Sequence, residues 1–122
     1  MVIQRIGQDV FREALMDYWG GRCPLTGITE PALLRASHIR PWAECSDEER
    51  LDVHNGLLLS ALWDAAFDRG LISFADDGAV LASAALGAAA REALHLSTIA
   101  PLAGLRDEHR TNLALHRARS GL

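Results

Sequence analysis

Four polar residues in two short stretches have the types and spacing to do chemistry. "SHIRPW" (37–42) carries His38, and "NGLLLSALWDAAFDRG" (55–70) carries Asn55, Asp64 and Asp68. A histidine with an ordinary pKa of about 6.5 can take a proton from water near neutral pH. Two aspartates four residues apart share one face of a helix, and such a pair makes a hard, oxygen-rich site suited to Mg²⁺ or Mn²⁺. The Asn55 amide can bond backbone groups across a loop and hold the histidine's strand in register with that helix. Each residue also has a plainer reading. His38 could be a core histidine bonded to backbone, Asn55 only the first half of an Asn-Gly turn, Asp64 a carboxylate compensating a helix dipole, and Asp68 the residue that fixes the turn at Arg69-Gly70.

The elements that must position these groups can be read from local signals. Apolar residues at three- and four-residue steps predict a helix from Asp9 to Trp19, stopped by Gly20-Gly21. "CPLTG" (23–27) reads as a tight turn, and "ALLRASHI" (32–39) as a mostly apolar strand ended by Pro41. The acidic stretch "AECSDEERLDV" reads as a solvated loop or short helical turn. "HNG" reads as a turn, "LLLS" as a buried strand, and "ALWDAAFDR" as a helix closed by Gly70. Beyond these, "LISFADDGAVLAS" alternates like a hairpin around Asp77-Gly78. An Ala-rich helix is expected over 84–96, and a final arginine-studded helix from about Asp107 to Arg119.

Length and composition limit the possibilities. At 122 residues, 49% hydrophobic and 23% charged, the chain is expected to form one globular domain, spanning 1–122. No apolar run approaches the ~20 residues that span a bilayer. The N-terminus lacks a basic segment followed by an apolar one, so a soluble, cytoplasmic protein is expected. Net charge is −4, which argues against nucleic-acid affinity resting on bulk charge, so any such binding needs a local patch. All twelve basic residues are arginine, suited to forked contacts with phosphate or base edges. Cys23 and Cys45 are too few for a disulfide framework and are expected to be free, partly buried thiols.

The residues "RCPLTG…ASHIRPW…HNGLLL…DAAFDRGLISF" resemble an HNH endonuclease, a nuclease of the ββα-metal type, of the bacterial sort in which aspartate often replaces the last histidine of the name. His38 falls on the first H, Asn55 on the N and Asp64 on the final position, with eight residues between the last two. The resemblance implies an α+β fold with a ββα-metal core over about 23–74, flanked by N- and C-terminal helices and a small hairpin. It implies a divalent-metal-dependent endonuclease that hydrolyses DNA phosphodiester bonds. His38 would be the general base, Asn55 the residue holding the loop, Asp64 the metal ligand and Asp68 a weaker ligand or support. Its alternative is an HNH fold without catalysis, binding nucleic acid or a protein.

Two positions depart from the family pattern. Many relatives place an aspartate or histidine ligand immediately before the first histidine, where this chain has Ser37. Many also hold a structural zinc through paired CxxC motifs, whereas Cys23 is followed three residues later by Thr26. No structural zinc is therefore expected, and Trp19, Leu33, Leu34, Leu58 and Phe67 are expected to pack the core in its place. Arg35, Arg40 and Arg69 flank the motif and are the expected phosphate contacts. The terminal helix, with Arg106, Arg110, Arg117 and Arg119, reads either as a second basic patch or as a solvated helix end. His54, His95, His109 and His116 are read as surface residues. A separate DNA-reading domain or an immunity protein are the further partners this family resemblance suggests.

Overall fold

The computed structural model describes residues 2–122, with side chains described from residue 5. The first helix, α1 (Val2–Tyr18), is longer than the Asp9–Trp19 pattern suggests. It ends where Gly20 and Gly21 both take positive φ, a conformation that lets the chain leave the helix. A short 3₁₀ turn at Pro31–Leu33 leads into β1 (Leu34–His38), so the strand begins two residues later than expected. Leu33 sits in that turn and is 49% exposed, which removes it from the expected core. Leu34, Leu58 and Phe67 are fully buried as expected, and Trp19 is partly buried against both halves of the core.

The acidic stretch forms a short helix, α2 (Asp47–Leu51), for a local reason. Ser46 accepts from the Glu49 backbone N–H while Glu49 reaches back to the Ser46 N–H, a reciprocal pair that satisfies two exposed donors at the helix start. A 3₁₀ turn at Val53–Asn55 then delivers β2 (Gly56–Ser60), α3 (Ala61–Asp68) and a hairpin of β3 (Ile72–Phe74) and β4 (Val80–Ala82). The hairpin matches the alternation read around Asp77-Gly78. Helix α4 (Ala88–Ala93) is shorter than the Ala-rich run, and α5 (Asp107–Ser120) closes the chain.

β1 and β2 pair antiparallel, with Leu34 opposite Ser60 and His38 opposite Gly56, forming a two-stranded ribbon. Strand residues alternate between faces, and the ribbon separates two clusters. Leu34 and Leu58 pack with Phe11, Leu15 and Cys23 on the α1 side. Leu57 and Leu59 pack with Trp63, Ala66 and Phe67 of α3 and with Ile72 and Phe74 of β3. With α3 following directly on β2, this is an α+β architecture of the ββα type.

α1 lies against the ribbon so closely that Gly56 is required there. A Cβ at that position would stand 2.4 Å from the Phe11 ring and 2.9 Å from Leu15. The Gly56 φ of −151° is open to any residue, so the glycine answers to space rather than to turn geometry. Arg12 of α1 fastens the contact by donating to the carbonyls of Leu34 and Pro31, each at 2.7 Å.

Helix α5 clamps the opposite side, and two of its arginines are tied down by the chain itself. Arg110 donates to the Asp76 carbonyl, and Arg117 to the Phe74 carbonyl and the Asp76 carboxylate, so both turn onto the β3–β4 hairpin. His109 and His116, read from sequence as surface residues, are buried. His116 stacks on Phe67 at 3.8 Å, donates from Nε2 to the Phe67 carbonyl at 2.8 Å, and accepts from Ser73 at Nδ1. No helix among the described residues is long and apolar enough to cross a membrane.

Candidate functional site

Asn55 is 1% exposed and every polar atom of its side chain is engaged. Oδ1 accepts from the Arg40 backbone N–H at 2.9 Å, while Nδ2 donates to the Glu49 carbonyl at 3.1 Å and to Cys45 Sγ at 3.3 Å. The Asn55 carbonyl also accepts from the Ile39 N–H. One side chain thus ties the exit of β1 to α2 and to the loop between them. Cys45 completes the junction by donating to the Arg40 carbonyl. Sequence reading gave Cys45 no such part, because a lone thiol carries no signal for it.

The residue after Glu49 holds His38. Nε2 of His38 lies 2.9 Å from the Arg50 carbonyl. A carbonyl can only accept, so Nε2 carries the hydrogen and Nδ1 is left as the basic nitrogen. The ring stacks on Phe11 at 3.8 Å with planes 9° apart, and Trp42 meets it edge-on at 5.4 Å. Trp42 is itself covered by the Arg50 guanidinium, which donates to the Trp42 carbonyl. Burial lowers the His38 pKa below the usual 6.5; the carbonyl of Arg50 opposes that shift and its charge adds to it. The imidazole is therefore neutral at neutral pH.

Ser37, Arg35, Asp64 and Asp68 gather on the other face of the ribbon. Ser37, opposite Leu57, is 3% exposed and faces α3. Burial pushes the Asp64 carboxyl above the usual aspartate value. The Ser37 hydroxyl pulls it down, the Asp68 charge raises it further, and the Arg35 guanidinium lowers it. Asp68, one turn along α3, is exposed. The arrangement separates His38 from the carboxylates by strand parity, with consecutive residues Ser37 and His38 pointing to opposite faces and meeting at the end of the ribbon.

Of the expected phosphate contacts, Arg40 is paired with Glu49. Arg35 is exposed but folds back onto the carbonyls of Ala32 and Leu34. Arg69, at the C-terminal end of α3, is exposed; its backbone N–H closes the helix on the Ala65 carbonyl, and its side chain makes no hydrogen bond among the described residues.

No group of three or more His, Cys, Asp or Glu side chains among the described residues is arranged to hold a metal ion. The donors that do converge, two carboxylates and a hydroxyl, are all hard oxygens. Mg²⁺ and Mn²⁺ are commonly held by one or two carboxylates with water and substrate phosphate completing the shell. The mutual repulsion of Asp64 and Asp68 is what a cation would relieve, so the donor set fits such an ion.

Residues 23–75 match a family model described as HNH endonuclease. Over that segment, 53 of the 122 residues, the chain is similar to HNH endonucleases. The HNH match takes in β1, the α2 loop, β2, α3 and β3, and ends one residue beyond the core expected from the motifs. It leaves out α1, which supplies the Phe11 stack beneath His38, and α5, which holds the end of α3 through His116. HNH domains are nuclease-type modules, generally dependent on a divalent metal and acting on nucleic acid. No curated protein matches the chain.

Proposed function

We propose that residues 1–122 form a single-domain, metal-dependent DNA endonuclease in which His38 is the general base and Asp64 the principal metal ligand. The observation that carries this reading is the tether on His38. Its Nε2 hydrogen is committed to the Arg50 carbonyl and its pKa is lowered, which leaves Nδ1 unprotonated at neutral pH. A base must be free to accept a proton and fixed in orientation when it does so. Ser37 and His38 lie at the end of the ribbon, so a scissile phosphate seated across that end would meet the carboxylate face and the imidazole face together.

A divalent cation at Asp64, with Asp68 and the Ser37 hydroxyl in support, would supply positive charge for the non-bridging and leaving oxygens of the phosphodiester. The chain's own residues do the rest. His38 takes the proton from the attacking water. Asn55 keeps Arg40 and Glu49 in place and so keeps the Arg50 carbonyl under the ring. Arg35 and Arg69 meet flanking phosphates, and Arg40 joins them when phosphate competes for it with Glu49. Mg²⁺ and Mn²⁺ suit this site better than Zn²⁺, because aspartate stands where the motif name has histidine.

A second reading, an HNH fold that binds nucleic acid or protein without cutting, is favoured by the placement of His38 on the face away from Asp64. Supercoiled plasmid incubated with Mg²⁺, Mn²⁺ or EDTA separates the two. The nuclease reading expects nicking or linearisation with metal, none with chelator, and near-complete loss in Asp64→Asn. It also expects metal to raise the thermal midpoint of the parent chain and not of Asp64→Asn. Asp64→His should shift the metal preference toward Ni²⁺, Co²⁺ or Zn²⁺. Intact plasmid under every divalent metal would leave the binding module standing.

A further inference from the structure

One groove lies at the start of α3, where Ser60 pairs with Leu34, and takes no part in the chemistry above. It encloses about 510 Å³ between the turn after α1, the start of α3 and the loop after α4. Leu25, Ile28, Leu62, Trp63 and Ile99 give it apolar walls, and Thr26, Ser60, Thr98 and His95 place polar groups among them. Apart from the imidazole, no lining residue bears an ionisable side chain. Small-ligand sites have this character, concave and mostly apolar with a few polar groups that set orientation.

A buried hydroxyl and an imidazole give the groove its polar groups. Ser60 is 95% buried, since only 5% of it is exposed, yet it immediately precedes α3 without its hydroxyl capping that helix. Ser60 lines the groove instead. His95 is the only non-glycine described with positive φ, at 54°. It is held there by a tight turn in which its carbonyl accepts from the N–H groups of Thr98 and Ile99. This is the left-handed end of α4, where the His95 N–H bonds the Glu92 carbonyl and the Leu96 N–H the Arg91 carbonyl, and it sets the imidazole at the groove wall.

We propose that this groove receives one unstacked nucleobase of the strand being cut. The inference rests on the nuclease reading and names the form of its substrate. A lining without arginine, lysine or carboxylate suits a neutral heteroaromatic ring better than a phosphate. The hydroxyls of Ser60, Thr26 and Thr98 can donate or accept at its edge, and the aliphatic walls and the His95 ring can cover its faces. Position supports the same occupant. Ser60 and Asp64 are four residues apart, about 6 Å along the helix axis, within reach of a single extruded nucleotide whose neighbouring phosphate lies at the carboxylates.

The test uses the full chain carrying His38→Ala, so that bound DNA stays intact, with Mg²⁺ present. Fluorescein-labelled oligonucleotides, single- and double-stranded, each carry one abasic residue, moved a position at a time. Anisotropy should show one position at which loss of the base weakens binding about tenfold, within the range for a single stacked base. 2-Aminopurine at that position should change its fluorescence on binding as it leaves the stack. Ala100→Phe, at an exposed position that narrows the groove, should weaken binding of the intact strand more than binding of the abasic one. A flat abasic scan with a chain whose parent nicks plasmid overturns the groove assignment and leaves the nuclease reading intact. If the parent neither cuts nor binds any of these strands, the nuclease reading fails and this assignment fails with it.

Discussion

Replacing Asn55 with alanine tests the junction on which the candidate site hangs. The change deletes the acceptor for the Arg40 N–H and the donor to the Glu49 carbonyl, two contacts made inside a loop that has no other side chain to replace them. A backbone group left unsatisfied in the interior costs about 1–3 kcal/mol. Both partners are part-buried rather than fully enclosed, so water recovers some of this and a total loss of about 2–4 kcal/mol is expected. With a urea m-value of roughly 1–3 kcal/mol/M for a small protein, the midpoint should fall by about 1–2 M in tryptophan-monitored unfolding. Asn55→Asp keeps an acceptor for Arg40 but sets a carboxylate against the Glu49 carbonyl, so it should not recover the loss. The second readout is His38. Releasing Glu49 also releases the neighbouring Arg50 carbonyl and opens the ring to water. Burial is the largest influence holding the His38 pKa down, so in the folded variant an NMR titration should find it closer to 6.5. A midpoint shift below about 0.3 M, together with an unmoved His38 titration, would refute the scaffolding argument.

Three further outcomes follow from the same contacts. His38→Ala should lower kcat by a factor of about 10²–10⁴ while DNA binding and the metal-induced thermal shift persist; in the parent, the acid limb of the rate profile should fall below pH 6.5, since the base must be neutral and its pKa is lowered. Gly56→Ala forces a methyl into Phe11 and Leu15 and should cost about 1–3 kcal/mol of stability in urea unfolding, with Phe11→Leu in the same chain recovering part of it. His109, with its pKa lowered to about 4 by burial and by His54, binds a proton more weakly folded than unfolded. Stability should therefore fall as pH drops from about 6.5 to 4, by at most about 3 kcal/mol; His109→Asn, which keeps an acceptor for the Arg106 N–H, should flatten that dependence in urea midpoints measured at pH 7 and pH 5.

The ββα core could be read from sequence because its signals are local. Pro41, the Asn-Gly pair and Gly70 punctuate the chain, and the four-residue spacing of Asp64 and Asp68 fixes their common face wherever the helix packs. Strand parity even says that Ser37 and His38 part to opposite faces. It does not say which face receives which helix. That is decided by Phe11, Leu15 and Arg12 of α1, and the absence of a Cβ at Gly56 that admits them appears in sequence only as half of a turn dipeptide.

The buried histidines were missed for a related reason. α5 is polar enough to read as a solvated helix, and its sequence is mostly charged or short side chains. His116 and Arg117 find their polar partners far along the chain, whereas His109 accepts from the Arg106 N–H only three residues away and its buried Nε2 has no partner among the described residues. The two His116 nitrogens are satisfied by Ser73 and the Phe67 carbonyl, 43 and 49 residues away. Arg117 is satisfied by the Phe74 carbonyl at a separation of 43. A window of ten or fifteen residues contains none of these partners, so hydrophobic periodicity assigns the helix to solvent. α3 is thus fixed from outside the matched HNH segment both by apolar packing with Leu94, Leu102 and Leu113 and by polar, long-range bonds, the class of interaction least visible in a single sequence. The consequence can be located: α3 is braced at its C-terminal end by α5, while at its N-terminal end Ser60 leaves the cap open toward the groove.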